Sequence, residues 1–290
     1  MFLDNENIKS IFEELTGLSK HSNEEVRLSS LTILVNLSDH LKDCPNALVR
    51  DPLNIMTTYV KMFRENLSNA TDKECTEKII IVIMDFVMAI QKRDVIEELK
   101  SHLLDLYYEY SQRRVHDQAI ILEQIMTVLH TCILALYQFQ TPMTDIDKIA
   151  RLIETHVRSQ GVEVEGLNLI SAAVSAYKYE FRHHLEKFWT YIIHGLEQVD
   201  QKPIFEAAIA CVSDCTRVMK DQYADKVQLV FDKLIAFMHQ PINRDTKSKI
   251  LKSFGDLFLG AKNYGSASLP PVMDICSKCF DAVYSYSGKH

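Results

Sequence analysis

Four groups of side chains in this sequence have residue types and spacings that chemistry could use. Cys276 and Cys279 form a CxxC pair, and Cys211 and Cys215 stand one helical turn apart, so each pair offers half of a four-ligand zinc site. No second pair of His or Cys at matching spacing accompanies either, so neither is read as a metal centre. His183 and His184 stand with Glu186 at the start of a helical pattern, but no Ser or Cys nucleophile shares a motif with them. The chain contains neither GxxxxGK nor GxGxxG, the loops that cradle phosphates. Catalytic residues, metal and cofactor are accordingly all expected to be none, and the protein is not read as an enzyme.

The fourth group is a line of single polar residues, Asp39, Asp85, His130, Ser175, Asp214 and Asp256. Each stands opposite an apolar stripe, and carboxylates set in a row suit a basic partner. The elements that position them follow from the spacing. Successive intervals are 46, 45, 45, 39 and 42 residues by subtraction, the period of two-helix HEAT or armadillo units. Two, five, six and nine residues before Asp214 stand Val212, Ile209, Ala208 and Phe205; before Asp85 stand Ile83, Ile80, Ile79 and Thr76. Before Asp256 the slots hold Phe254, Leu251, Ile250 and Lys247, and before Asp39 they hold Leu37, Leu34, Ile33 and Ser30. At 100° per residue these slots cluster about half a turn from the anchor, so each repeat is expected to turn one polar side chain to solvent.

Between the anchored helices lie partner helices, predicted over Leu48 to Leu67, Val95 to Tyr110, Ile146 to Val157, Phe181 to Leu196, Ala224 to Met238 and Val272 to Val283, with a leading helix over Met1 to Leu18. Pro45, Pro52, Pro142, Pro203, Pro241, Pro270 and Pro271 all fall between periodic segments, where no helical hydrogen bond is lost. Eight glycines and seven prolines in 290 residues are too few turn residues for a sheet-rich chain. The reading is an all-α fold, a right-handed α-solenoid of about six helical pairs running as one continuous array over residues 1–290. The last helix has the pattern of an internal one, which points to a piece of a longer array, or to a tail from Tyr284 to His290 folded over the end.

The net charge of −7 argues against a duplex-binding surface, which needs clustered Lys and Arg. Residues 1–200 hold 20 basic and 30 acidic side chains, whereas residues 201–290 hold 12 and 9, so the acidic excess belongs to the first part. The opening MFLDNENIKSIFEE has no secretory pattern, and the apolar stretch Ile79 to Ile90 is interrupted by Asp85 and too short to span a bilayer. Seven cysteines, mostly on apolar helix faces, fit a reducing compartment. Cytoplasm or nucleus is expected, without nucleic-acid binding or membrane insertion.

The run Ile204-Phe-Glu-Ala-Ala-Ile-Ala-Cys-Val-Ser-Asp-Cys-Thr-Arg-Val-Met219, with Tyr223-Ala-Asp-Lys-Val227, resembles a repeat from the middle-to-late part of the importin-β (karyopherin-β) family. So does Asp245-Thr-Lys-Ser-Lys-Ile-Leu-Lys-Ser-Phe-Gly-Asp-Leu-Phe-Leu259, and Glu163 to Phe181 with Leu185 to Leu196 resembles the preceding unit. The resemblance covers residues 115–286; residues 1–114 keep the helical-pair pattern without matching particular repeats. It implies a HEAT-repeat nuclear transport receptor that carries basic cargo directly or through an importin-α adaptor and passes the pore on Phe-Gly nucleoporins. Ran is a further implied partner, although the repeats that bind it in the family are not recognised here. On this reading Asp39, Asp85, Asp214 and Asp256 form a concave ladder for the basic partner, and the outer-helix aromatics Phe188, Trp189, Phe231 and Phe237 meet nucleoporins. A general scaffold or regulatory subunit shares the repeat period and is the alternative.

Overall fold

The structure is a computed structural model that describes residues 5–41, 52–68, 73–90, 92–113, 118–140, 144–220, 224–240, 243–260 and 268–287. Its described residues form α-helices α1 (Asn5–Leu18), α2 (Glu24–Leu41), α3 (Pro52–Ser68), α4 (Lys73–Ala89), α5 (Arg93–Ser111), α6 (Gln118–Tyr137) and α7 (Ile146–Gln160). They continue as α8 (Val164–Tyr177), α9 (Arg182–Glu197), α10 (Lys202–Met219), α11 (Ala224–Met238), α12 (Arg244–Gly260) and α13 (Leu269–Ser287), with no strand among them. Every predicted helix is found, and all six anchors fall on even-numbered helices. The first residues of the predicted leading helix, residues 48–51 of the next partner helix, and the joints Pro45, Pro142 and Pro241 lie outside the described residues. Tyr284 belongs to α13, and residues 288–290 of the expected tail are likewise outside.

The helices cluster in two compact units, Met1–Thr141 and Pro142–His290. In the first, α1 packs on α2, α3 on α4 and α5 on α6, while α2, α4 and α6 stack into a layer of their own. Bonds between neighbouring repeats set the register. Thr16 and Tyr59 hydroxyls meet at 2.9 Å and Ser19 Oγ reaches Met62 Sδ at 3.6 Å, two contacts each 43 residues apart, so α1 and α3 run in the same direction. Phe12 of α1, Tyr59 of α3 and Phe86 of α4 pack with centroids 4.9–6.0 Å apart, which ties two repeats through one aromatic cluster. Arg64 of α3 bridges Glu109 of α5 at 2.8 Å. By length and composition α6 could cross a membrane, but Ile121, Leu122, Ile125, Met126 and Leu129 are buried in this core. It packs against α4 and α5.

The second unit repeats the arrangement. Helices α8, α10 and α12 stack as the even layer, and α9 packs on α10 as α11 does on α12. Glu197 to Lys233 at 2.6 Å and Glu186 to Lys226 at 4.0 Å link α9 with α11. Sharp helix ends come from backbone geometry. Lys178 and Lys220, with φ of 52° and 49°, end α8 and α10 in the left-handed region, and Gly161 at φ 87° turns the chain between α7 and α8. Pro203 opens α10 at a position where no helical N–H is needed.

The apolar slots are mostly filled as expected: Val212, Ile209, Ala208 and Phe205 are 0–3% exposed, and Ile83, Ile80, Ile79 and Thr76 are buried as well. Ile33 is the exception at 51% exposed. Its helix α2 packs chiefly on α1 and α4. Leu251 and Lys247 are only half-buried on α12.

Candidate partner-binding surfaces

The anchors follow the even layer, but they do not all stand free in solvent. Asp39 is exposed, whereas Asp85, Asp214 and Asp256 are half-buried. Ser38 Oγ on α2 donates to Asp85 Oδ2 on α4 at 3.0 Å, and Ser171 on α8 donates to Asp214 on α10. Arg217 also pairs with Asp214. Two of the four expected rungs therefore join neighbouring even helices while staying half-exposed. Stacked parallel helices bring a seryl hydroxyl from one repeat within reach of a carboxylate in the next, and the carboxylate gains a charge-assisted bond. His130 and Ser175 hold the matching half-buried positions on α6 and α8.

Asp256 borders a groove of about 350 Å³ between α10 and α12. Glu206, Ile209, Ser213, Asp214 and Arg217 line it from α10, and Lys249, Lys252 and Ser253 from α12. Lys249 Nζ bonds Glu206 Oε2 at 2.5 Å, so part of its charge is already paired.

The odd helices carry the four aromatics. Phe188 and Phe231 are core rings, 3% and 0% exposed: Phe188 stacks on Phe181 at 6.1 Å and Phe231 on Phe254 at 5.9 Å. The expectation that both rings face a partner is corrected here, because they fill the space inside their own repeats. Trp189, 8% exposed, sits at the α9–α11 edge with Lys226 Nζ 5.7 Å from its ring centroid. Phe237 is half-buried and meets Phe205 edge-on at 5.2 Å. Of the four, Phe237 alone is partly exposed; Trp189 is buried, with Lys226 over its ring.

The residues with potential chemistry are placed apart. Cys211 and Cys215 are free thiols buried on α10, where the hydrogen bond from one thiol to the other and burial push the Cys211 thiol well up, away from a reactive thiolate. His184 pairs with Asp147 at 3.2 Å, and His183 is exposed. Among the described residues no group of three His, Cys, Asp or Glu side chains is placed to hold a metal.

Sequence periodicity gave no sign of a buried polar cluster joining α7, α8 and α9. His156, fully buried on α7, has Nε2 3.1 Å from Glu163 Oε2. Tyr191 Oη accepts the Glu163 backbone N–H at 2.9 Å. Gly166 leaves room for that phenol, since a Cβ there would stand 2.4 Å from Tyr191 Oη. Burial lowers the His156 pKa to about 4, outweighing the nearby carboxylate, so the ring is neutral at physiological pH. This cluster locks one repeat to the next.

The family described as importin subunit beta-1-like, TPR repeats, matches residues 14–286, which is most of the chain. The chain belongs to this importin-β family. The importin subunit beta-1 of Saccharomyces cerevisiae is 28% identical over 163 residues, 54% of this chain and 18% of that protein. Among solved structures, importin beta crystallised in a polyethylene glycol condition superposes with a TM-score of 0.75 at 18% identity, covering 92% of this chain and 33% of the other. The Kap95:Nup1 complex gives 0.68 at 15% identity, covering 96% and 38%. This importin-β-like chain thus spans well under half the length of the relatives it matches, and their common fold is an α-solenoid of helical pairs.

Proposed function

We propose that this importin-β-like chain acts in nucleocytoplasmic protein import as a transport receptor, shuttling between cytoplasm and nucleus. The observation that carries the reading is the family match over residues 14–286, supported by the even-helix layer of each unit, which carries Asp39 and Asp85 in the first and Asp214 and Asp256 in the second. That layer takes basic cargo or the basic segment of an importin-α adaptor, with long-range attraction supplied by the acidic excess of the first 200 residues. The edge between α9 and α11 takes a nucleoporin phenylalanine beside Trp189, with Phe237 as the neighbouring aromatic. Kap95 forms a complex with Nup1, which supports the nucleoporin part of the reading. Ran binding is assigned to the receptor as a whole.

The test is a pull-down on the purified chain from cell extract, with and without GTP-loaded Ran. Recovery of Phe-Gly nucleoporins and importin-α is the expected result. Recovery of a stable enzyme complex without any nucleoporin would overturn the reading in favour of a regulatory scaffold.

A further inference from the structure

At three places in the even layers a serine precedes an aspartate of the next repeat by 43 or 47 residues. Ser38 with Asp85 and Ser171 with Asp214 are closed by a hydrogen bond. Ser213 and Asp256 are 43 residues apart in the sequence, in the same register as Ser171 and Asp214, yet no bond joins them. The α10–α12 groove opens there instead. It is bounded on one side by Glu206, held by Lys249 at 2.5 Å and Thr246 at 3.3 Å. Towards the helix ends Gly260 presses on Thr216 so closely that a Cβ would meet the Thr216 carbonyl oxygen at 2.5 Å.

Ser213 is 8% exposed, and among the described residues its hydroxyl has no hydrogen bond, although it lines the groove. Asp256 and Lys252 likewise have no hydrogen bond or ion pair among the described residues, whereas Glu206 and Asp214 are neutralised by Lys249 and Arg217. The unused groups are thus one carboxylate acceptor, one ammonium donor and one hydroxyl that serves either way. Formal charges around the groove balance, three acidic against three basic, so a charged visitor finds no net attraction. A primary amide is the neutral side-chain group that presents donors and an acceptor side by side.

We propose that this groove is a recognition pocket for a Gln or Asn side chain of the partner segment lying on the even-helix face. The amide N–H donates to Asp256, and Ser213 or Lys252 donates to the amide oxygen. The proposal rests on that face being the partner-binding face; it adds that the rung at Asp256 selects an uncharged amide, whereas the ladder as a whole selects charge.

The test titrates N-acetyl-glutamine methylamide, and the matching lysine and glutamate compounds, into the full chain while following the Ile209 methyl resonance, since Ile209 lines the groove. The glutamine compound is expected to give a saturable shift, weakened about fivefold by Ser213→Ala and by Asp256→Ala, in proportion to one lost hydrogen bond. Unchanged methyl spectra elsewhere certify that both variants fold. No saturable response to glutamine, a stronger response to lysine or glutamate, or a glutamine response that both variants leave intact would each overturn the proposal. A glutamine response with no binding of basic segments would instead fault the transport reading and leave the pocket standing.

Discussion

Ser38 Oγ, fully buried on α2, donates a 3.0 Å hydrogen bond to Asp85 Oδ2 on α4, and so joins two repeats through their even helices. The donor has lost water and the acceptor is charged, which favours a sizeable contribution. Ser38→Ala and Asp85→Ala should each lower the unfolding free energy by about 1–2 kcal/mol in urea titrations, with a coupling of about 1 kcal/mol in the double-mutant cycle. Strictly additive losses would show that the tie does not contribute.

Two helical glycines should respond in opposite directions. Gly260→Ala drives a Cβ to 2.5 Å from a backbone carbonyl and should destabilise by about 1–3 kcal/mol through overpacking. Gly255, on the same helix, has no neighbouring atom within 4 Å, so Gly255→Ala should stabilise by about 0.5–1 kcal/mol through helix propensity. Thermal melts of the two variants check the sign of each.

His156 gives stability a pH dependence. Its folded pKa, about 4, lies below the ordinary value of 6.5, so the unfolded chain takes up a proton that the folded chain refuses. The contribution is fully present above pH 6.5 and is lost as pH falls from 6.5 towards 4, by up to about 1.4 kcal/mol per pH unit. Urea midpoints measured across that window should flatten in His156→Gln. An equal slope in the variant would assign the effect to other groups.

At the α9–α11 edge, Lys226 covers the Trp189 ring that a nucleoporin phenylalanine would use. Lys226→Ala should tighten binding of a Phe-Gly peptide about two- to fivefold, the worth of an exposed cation–π contact. Fluorescence titration through Trp189, the chain's single tryptophan, reads it directly. Weaker binding in the variant would mean that the lysine recruits the peptide.

The helix-level design was legible because the 3.6 period states which side of each helix is apolar. Phe205, Ala208, Ile209 and Val212 were placed in the core by spacing alone, and all are buried. What the period does not contain is the axial register between helices 40 or more residues apart. Asp214 could be put opposite its stripe, but not against Ser171, which depends on how α8 and α10 slide past each other. The same missing information misjudged Phe188 and Phe231, whose helices are peripheral while their rings point inward. Ile33 fits its stripe and is nonetheless 51% exposed. The His156–Glu163–Tyr191 cluster draws on three helices and their connections, so no single stretch of sequence announces it.

The most direct test of the account is the affinity of a fluorescent basic importin-α segment for the chain, measured from 50 to about 300 mM salt, for wild type and for Asp39→Asn, Asp85→Asn, Asp214→Asn and Asp256→Asn combined. The account predicts that wild-type affinity falls steeply with salt and that the fourfold variant binds at least about tenfold more weakly with a shallower salt slope. Binding that ignores salt, or that the variant retains in full, would contradict it.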